Sequence, residues 1–389
     1  MATGIEVIAA LVTLCGLGYL VLALWGARDF HRYWRRYGQR PRGERFAPDV
    51  SMLKPVKGVD ASMYGGLASH CRQQYAGRFE MIFGVSSMDD PAVAEIERLR
   101  AEFPECAIRL VECRERLGTS GKVSNLVQML PVASYEHILI NDSDIRVSPQ
   151  YLTRVMAGFA DASVGMVTAP YVGRAAEGAT LWTRLEALGI ATDFFPGVLA
   201  ARKLERGIRF GLGSTLAMSK TALAKAGGLE PLVECLADDY EMGERIAKAG
   251  YRVELSDEVV ETTVPAYSFR GFCEHQLRWA RTTRDSRRWG YLGVGITFVI
   301  PWAVMTCVAS GLELWSFSLL SLALLARVAV ALSVGVGVLG DGQVLRNMWL
   351  VPLRDFFGLF FWAWSYAGDT IVWRGERFRL RDGRLSRVG

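Results

Sequence analysis

Residues 5–25 carry one charge, Glu6, in an otherwise apolar run, and a helix rising about 1.5 Å per residue makes that run long enough to cross a bilayer core of ~30 Å. No small-residue cleavage site comes after it. Arg28, Arg32, Arg35, Arg36, Arg40, Arg42 and Arg45 do so instead, which by the positive-inside rule hold this flank in the cytoplasm and make the run a retained anchor rather than a cleaved signal.

A second apolar block begins after Tyr291 and extends to Trp373, broken by Glu313, Arg327, the Gly340-Asp341-Gly342 turn and Arg354-Asp355. Residues 291–312 and 314–339 each suffice for one crossing, while 348–373 either cross or lie in the interface. Two crossings keep the basic tail that begins at Arg374 in the cytoplasm; a third places it outside, against the charge rule. Arg327, in mid-segment, marks either a functional site or a contact with a neighbouring helix. Over 389 residues, 51% hydrophobic with a mean hydropathy of +0.17, such ends place the chain among membrane-tethered proteins. Its seven cysteines are scattered without a Cys-x-x-Cys pair, which argues against zinc and against a disulfide framework. The formal charge of +5 gathers at the membrane flanks, pointing to anionic lipid rather than nucleic acid.

The middle of the chain alternates short apolar runs with amphipathic stretches, the pattern of an α/β domain with a largely parallel sheet. Strands are expected at 50–53, 80–86, 108–111, 137–141 and 165–168, with helices at 64–74, 91–103 and 149–159. Ligands of such sheets sit at the carboxyl ends of strands, where Lys54, Lys57, Asp89, Asp90, Asp142 and Asp144 fall. Asp142 and Asp144 offer two hard oxygen donors to Mg²⁺ or Mn²⁺, with substrate phosphates and water completing the shell. Asp89-Asp90-Pro91 either caps a helix or accepts hydrogen bonds from a nucleotide. Gly118-Thr-Ser-Gly121-Lys122 suits a diphosphate without having the spacing of a P-loop. Asp239 opens a helix as a cap or as a proton acceptor. His275-Gln-Leu-Arg278-Trp279 lies on a basic amphipathic stretch just before the membrane.

In this order the residues resemble the GT-A glycosyltransferases that carry Asp, Asp-x-Asp, Asp and (Gln/Arg)-x-x-Arg-Trp before membrane helices. The ceramide glucosyltransferase family is the nearer match: Met52-Leu-Lys-Pro-Val-Lys-Gly-Val-Asp60, Asp89-Asp-Pro-Ala92, Lys122-Val-Ser-Asn-Leu126, Asp142-Ser-Asp-Ile-Arg-Val147, Ala237-Asp-Asp-Tyr240 and the tail Trp373-Arg-Gly-Glu-Arg-Phe-Arg-Leu-Arg381 look like its landmarks. A bacterial hopanoid-modifying branch looks similar at the same positions. The resemblance implies a GT-A domain over 49–270, an anchor over 1–27, a basic linker over 28–48, an interfacial segment over 271–290, a membrane region over 291–373 and a basic tail over 374–389, with the catalytic domain on the cytoplasmic face of a bacterial inner membrane.

It further implies that Lys54, Asp90, Lys122 and Asp142 bind a UDP-sugar, that Asp142 and Asp144 hold the metal, that Asp239 is the base, and that Arg278 and Trp279 close the site. His275 stands where the family has Gln or Arg, with Gln276 one position late, and remains a candidate donor to the leaving diphosphate. The implied reaction is an inverting transfer of glucose to a membrane lipid hydroxyl, ceramide first. A hopanoid-type N-acetylglucosaminyl transfer, a processive polysaccharide synthase and a non-enzymatic membrane scaffold are the alternatives.

Overall fold

The computed structural model describes residues 4–38, 46–60, 62–176, 178–373 and 376–387. The apolar runs of the middle region become β1 (Val50–Pro55), β2 (Phe79–Val85), β3 (Ala107–Glu112), β4 (His137–Ile140), β5 (Val164–Thr168), β6 (Tyr171–Ala175), β7 (Leu216–Ser219), β8 (Arg252–Leu255) and β9 (Val260–Val264). Seven of these form one sheet in the order β3-β2-β1-β4-β7-β5-β8, and β6 pairs with β9 in a small parallel sheet beside it. β1, β2, β3 and β4 are mutually parallel, as are β5 and β8, whereas β7 runs antiparallel to both neighbours. Helices cover both faces, so β1 is buried over its first five residues, Lys54 included. The register sets Leu53 beside Ile140, which brings the ends of β1 and β4, and the polar residues just beyond them, to one edge.

The chain's beginning is one helix, Gly4–Gly38, rather than an anchor and a separate linker. Ala27 and Phe30 are buried on the α/β domain, Trp34 Nε1 donates to the Leu255 carbonyl, and Asp29 pairs with Arg202 and Lys203. Side chains of Arg40, Arg42 and Arg45 lie outside the described residues. Two close approaches explain the glycines here: a Cβ at Gly16 would stand 2.7 Å from the Ile296 carbonyl, and one at Gly26 2.6 Å from that of Leu199. Small residues let helix backbones meet this way.

Gly4–Arg35 and Leu314–Val336 are long and apolar enough to cross a membrane. The segment expected as one span over 291–312 is instead the pair Arg288–Thr297 and Val299–Ala309, bent by 57°. Pro301 has no N–H to give to the carbonyl four residues back, at Thr297, where the first helix ends. The Ile300 N–H turns to the Asp355 carboxylate instead. Residues 348–373 do not form a third long span: Val351–Ser365 has 15 residues, about 22 Å of helix. Beyond it the chain forms a three-stranded antiparallel sheet, β10 (Thr370–Trp373), β11 (Glu376–Arg381) and β12 (Arg384–Arg387). The region read as a basic tail therefore folds, and a bridge from Arg384 to Cys235 docks it on the α/β domain. Arg374 lies outside the described residues.

Candidate active site

β1 delivers Lys54 with no exposed surface, and its Nζ meets no hydrogen-bond partner among the described residues. Burial lowers its ammonium pKa to about 7, against the pull of the Asp142 and Asp144 carboxylates. This places Lys54 beneath the acidic pair rather than on the surface of a cleft. The turn after β4 is held from below by Asn141, whose amide donates to Tyr151 Oη at 2.9 Å and to the Ser214 carbonyl at 2.7 Å. Asp144 accepts from Thr262 Oγ1 on β9. Burial, then the neighbouring Asp142 carboxylate, pushes its carboxyl above the usual range.

Lys122 stands in the first turn of helix Gly121–Met129, whose N-terminus Ser120 caps by accepting from the Val123 N–H. Its Nζ lies 3.0 Å from Asp142 Oδ1 and 3.3 Å from Asp238 Oδ2. The Asp142 side chain is the open member of this group, 46% exposed against 16% for Asp238. Asp239 opens helix Asp238–Lys248 and accepts from the Tyr240 N–H at 2.8 Å. Burial first and the Asp238 carboxylate second raise its pKa to about 6, with Lys122 opposing. A carboxylate tuned so near neutrality suits proton transfer.

These residues meet the helix Phe269–Ser286 through two tyrosines. Tyr171 Oη is buried in the field of the Asp239, Glu186 and Asp142 carboxylates, and Tyr267 interacts with Glu186, Arg278 and Asp144. Trp279 packs edge-on to Phe194 at 5.6 Å and against His275 at 5.7 Å. His275 Nδ1 sits 3.1 Å from Glu186 Oε1. Gln276, read as one position late, is buried and bridges the Glu186 carboxylate to Arg354 Nη1.

Lys54, Lys122, Asp142, Asp144 and Asp239 thus gather at one sheet edge, with His275, Arg278 and Trp279 beside them. Asp90 lies on the loop after β2, which the parallel pairing with β1 brings to the same edge of the sheet. Both of its carboxylate oxygens accept from the Gly58 N–H, and Oδ1 also accepts from the Ala92 N–H, so it ties down the loop after β1 and caps a helix. Sequence reasoning passed over Asp238, Tyr171, Thr262, Glu186 and Asp193. Asp238 alone carried a local signal, as the neighbour of Asp239.

The chemistry of the acidic pair fits a cation. Two carboxylates that repel one another, one already forced toward protonation, are relieved by positive charge between them. Among the described residues no three Asp, Glu, His or Cys side chains converge as a ligand set, so phosphate and water would supply the rest.

The sequence profile of glycosyl transferase family 21 matches residues 8–386. The chain belongs to this family. Among relatives, ceramide glucosyltransferase 3 of Caenorhabditis elegans is 26% identical over 256 residues, 66% of this chain and 54% of that protein. Ceramide glucosyltransferase 1 of the same organism is 25% identical over 359 residues, 86% and 72% of the two chains. The chain thus matches about half the length of the first relative. Among solved structures, the mannosyltransferase PcManGT of Pyrobaculum calidifontis, determined with GDP-Man and Mn²⁺, covers 93% of this chain at 21% identity, itself covered to 97%, with a TM-score of 0.52. That likeness is one of fold, and the fold is GT-A.

Proposed function

We propose that this protein, anchored in a membrane with its catalytic domain and C-terminal sheet on the cytoplasmic side, transfers glucose from UDP-glucose to the hydroxyl of ceramide with inversion. The observation that carries the reading is the placement of Asp239, a buried carboxylate tuned to about 6, between a lysine-bridged acidic edge and a helix shared with the membrane bundle. Family membership and the names of the relatives support it.

In this mechanism Asp239 accepts the proton of the lipid hydroxyl as its oxygen bonds to the anomeric carbon and the bond to UDP breaks. Lys122, already between Asp142 and Asp238, supplies positive charge to the diphosphate, and Arg278 adds a second cation. Asp142 and Asp144 would hold a divalent cation, Mg²⁺ or Mn²⁺, whose chemistry there is to neutralise charge growing on the leaving group. The helix Phe269–Ser286 shields the site on the membrane side.

Purified full-length protein in lipid vesicles, supplied with single UDP-sugars and either ceramide or a hopanoid alcohol, tests this directly. Glucosylceramide should form from UDP-glucose, EDTA should abolish it, and Asp144→Asn should weaken cation-dependent donor binding while the protein melts normally. Unchanged turnover in excess EDTA would remove the metal; transfer to soluble sugars or peptides and to no lipid would remove the acceptor.

A further inference from the structure

The helix Leu181–Gly189 passes into a π-helical turn, Ile190–Phe194, and then into helix Phe195–Leu204. Such turns insert a residue and concentrate at functional sites, and this one is gripped from the membrane helices. Arg327 of Leu314–Val330 donates from Nη1 to the Thr192 carbonyl at 2.8 Å and from Nη2 to Asp193 Oδ1 at 2.6 Å. Arg354 Nε stands 2.8 Å from Asp193 Oδ2. Successive side chains then serve different partners. Phe195 packs on Phe30 of the N-terminal helix at 6.3 Å, while Phe194 turns to the site, 5.5 Å from the Tyr171 ring and 5.6 Å from that of Trp279. Tyr171 is the residue that lies in the field of Asp239.

We propose that the π-turn is the acceptor-side wall of the site, and that Phe194, held in place by Asp193 between Arg327 and Arg354, determines which lipid hydroxyls reach Asp239. The inference rests on the reading of the protein as a lipid glycosyltransferase. A ring with few rotamers, wedged between two others, sets a fixed aperture; its loss opens a space of about one ring between Tyr171 and Trp279. Asp193 is a positioning residue, acting through Phe194.

The test uses full-length protein in vesicles that contain either ceramide or a polycyclic lipid alcohol. Phe194→Ala should raise the polycyclic-to-ceramide ratio of kcat/KM about tenfold or more, with Phe194→Leu intermediate and the UDP-glucose KM within about twofold of the parent. Asp193→Asn should lower kcat/KM for ceramide about tenfold, again sparing the donor KM. Thermal unfolding and UDP binding identify any variant that fails to fold, in which case Phe194→Leu carries the comparison. An unchanged acceptor ratio, or a loss confined to donor KM, overturns the inference. A parent protein that glycosylates no lipid overturns the functional reading, and this inference with it.

Discussion

A proton acceptor works only while ionised, and burial with the Asp238 carboxylate puts the half-ionisation of Asp239 at about pH 6. At saturating donor, turnover should therefore rise with pH through that region and level off above it. Lys122 opposes the upward shift caused by burial and by Asp238, so Lys122→Met should move the acid limb to higher pH, the direction that losing a nearby positive charge dictates. Asp239→Asn keeps the shape without the basicity and should cut turnover by about two to four orders of magnitude with UDP binding retained. Both are read from pH profiles of initial rates beside calorimetric UDP titrations. A flat profile from pH 5 to 8, or near-parental turnover in Asp239→Asn, would leave Asp239 as a helix-opening residue and nothing more. Lys54 shows a limit of reading charge from sequence: its position after an apolar strand was legible, but its complete burial depends on helices packed over β1 from elsewhere in the chain.

The elements around the site differ in how much their local pattern revealed. β1 to β5 stood out because their runs are mostly apolar and bounded by turn residues, and Asp142 and Asp144 were legible because they come just after β4. β7 escaped notice, being four residues long and reversed in direction, which no local signal encodes. Glu186 and Asp193 were invisible for a similar reason, since their partners Gln276, Arg327 and Arg354 lie far along the chain. The helix Phe269–Ser286 illustrates the cost of such long-range design. Gln276 donates to Glu186 and accepts from Arg354, so Gln276→Leu leaves two buried charges each short of a partner, a loss of about 1–3 kcal/mol per unsatisfied group. A lower melting temperature in detergent is expected, with His275→Ala milder because its side chain keeps 19% of its surface exposed. Equal melting of Gln276→Leu and the parent would mean that water replaces the amide without loss.

At the scale of the whole molecule, the C-terminal sheet changes what the ends of the chain do. The alternation Arg377-Phe-Arg-Leu-Arg381 is the period-two pattern of a strand, hidden because its charges read so readily as a cytoplasmic flank. In the fold Phe378, Leu380 and Leu385 form a small core with Ile371, and Leu236 packs against it. Leu385 N–H donates to the Glu234 carbonyl, Leu236 N–H to that of Gly383, and Thr119 joins the same junction through the Glu234 carboxylate. The loops seated there lead directly into Asp238-Asp239 and into Lys122. Arg281 and Arg284, on the helix that carries Arg278 and Trp279, bond to the chain just before and within β10. One terminal sheet therefore braces three segments of the candidate site at once, from beyond the apolar helices that precede it. Ending the chain at Asp369 should keep the protein membrane-bound and lower lipid glycosylation by about two orders of magnitude, a loss of some 2–3 kcal/mol of transition-state stabilisation. Leu385→Asp, which puts a charge into the small core without shortening the chain, should reproduce most of that loss. Vesicle flotation separates anchoring from activity in the same samples; a truncated protein that floats and transfers sugar at the full-length rate would show that the sheet is dispensable for catalysis.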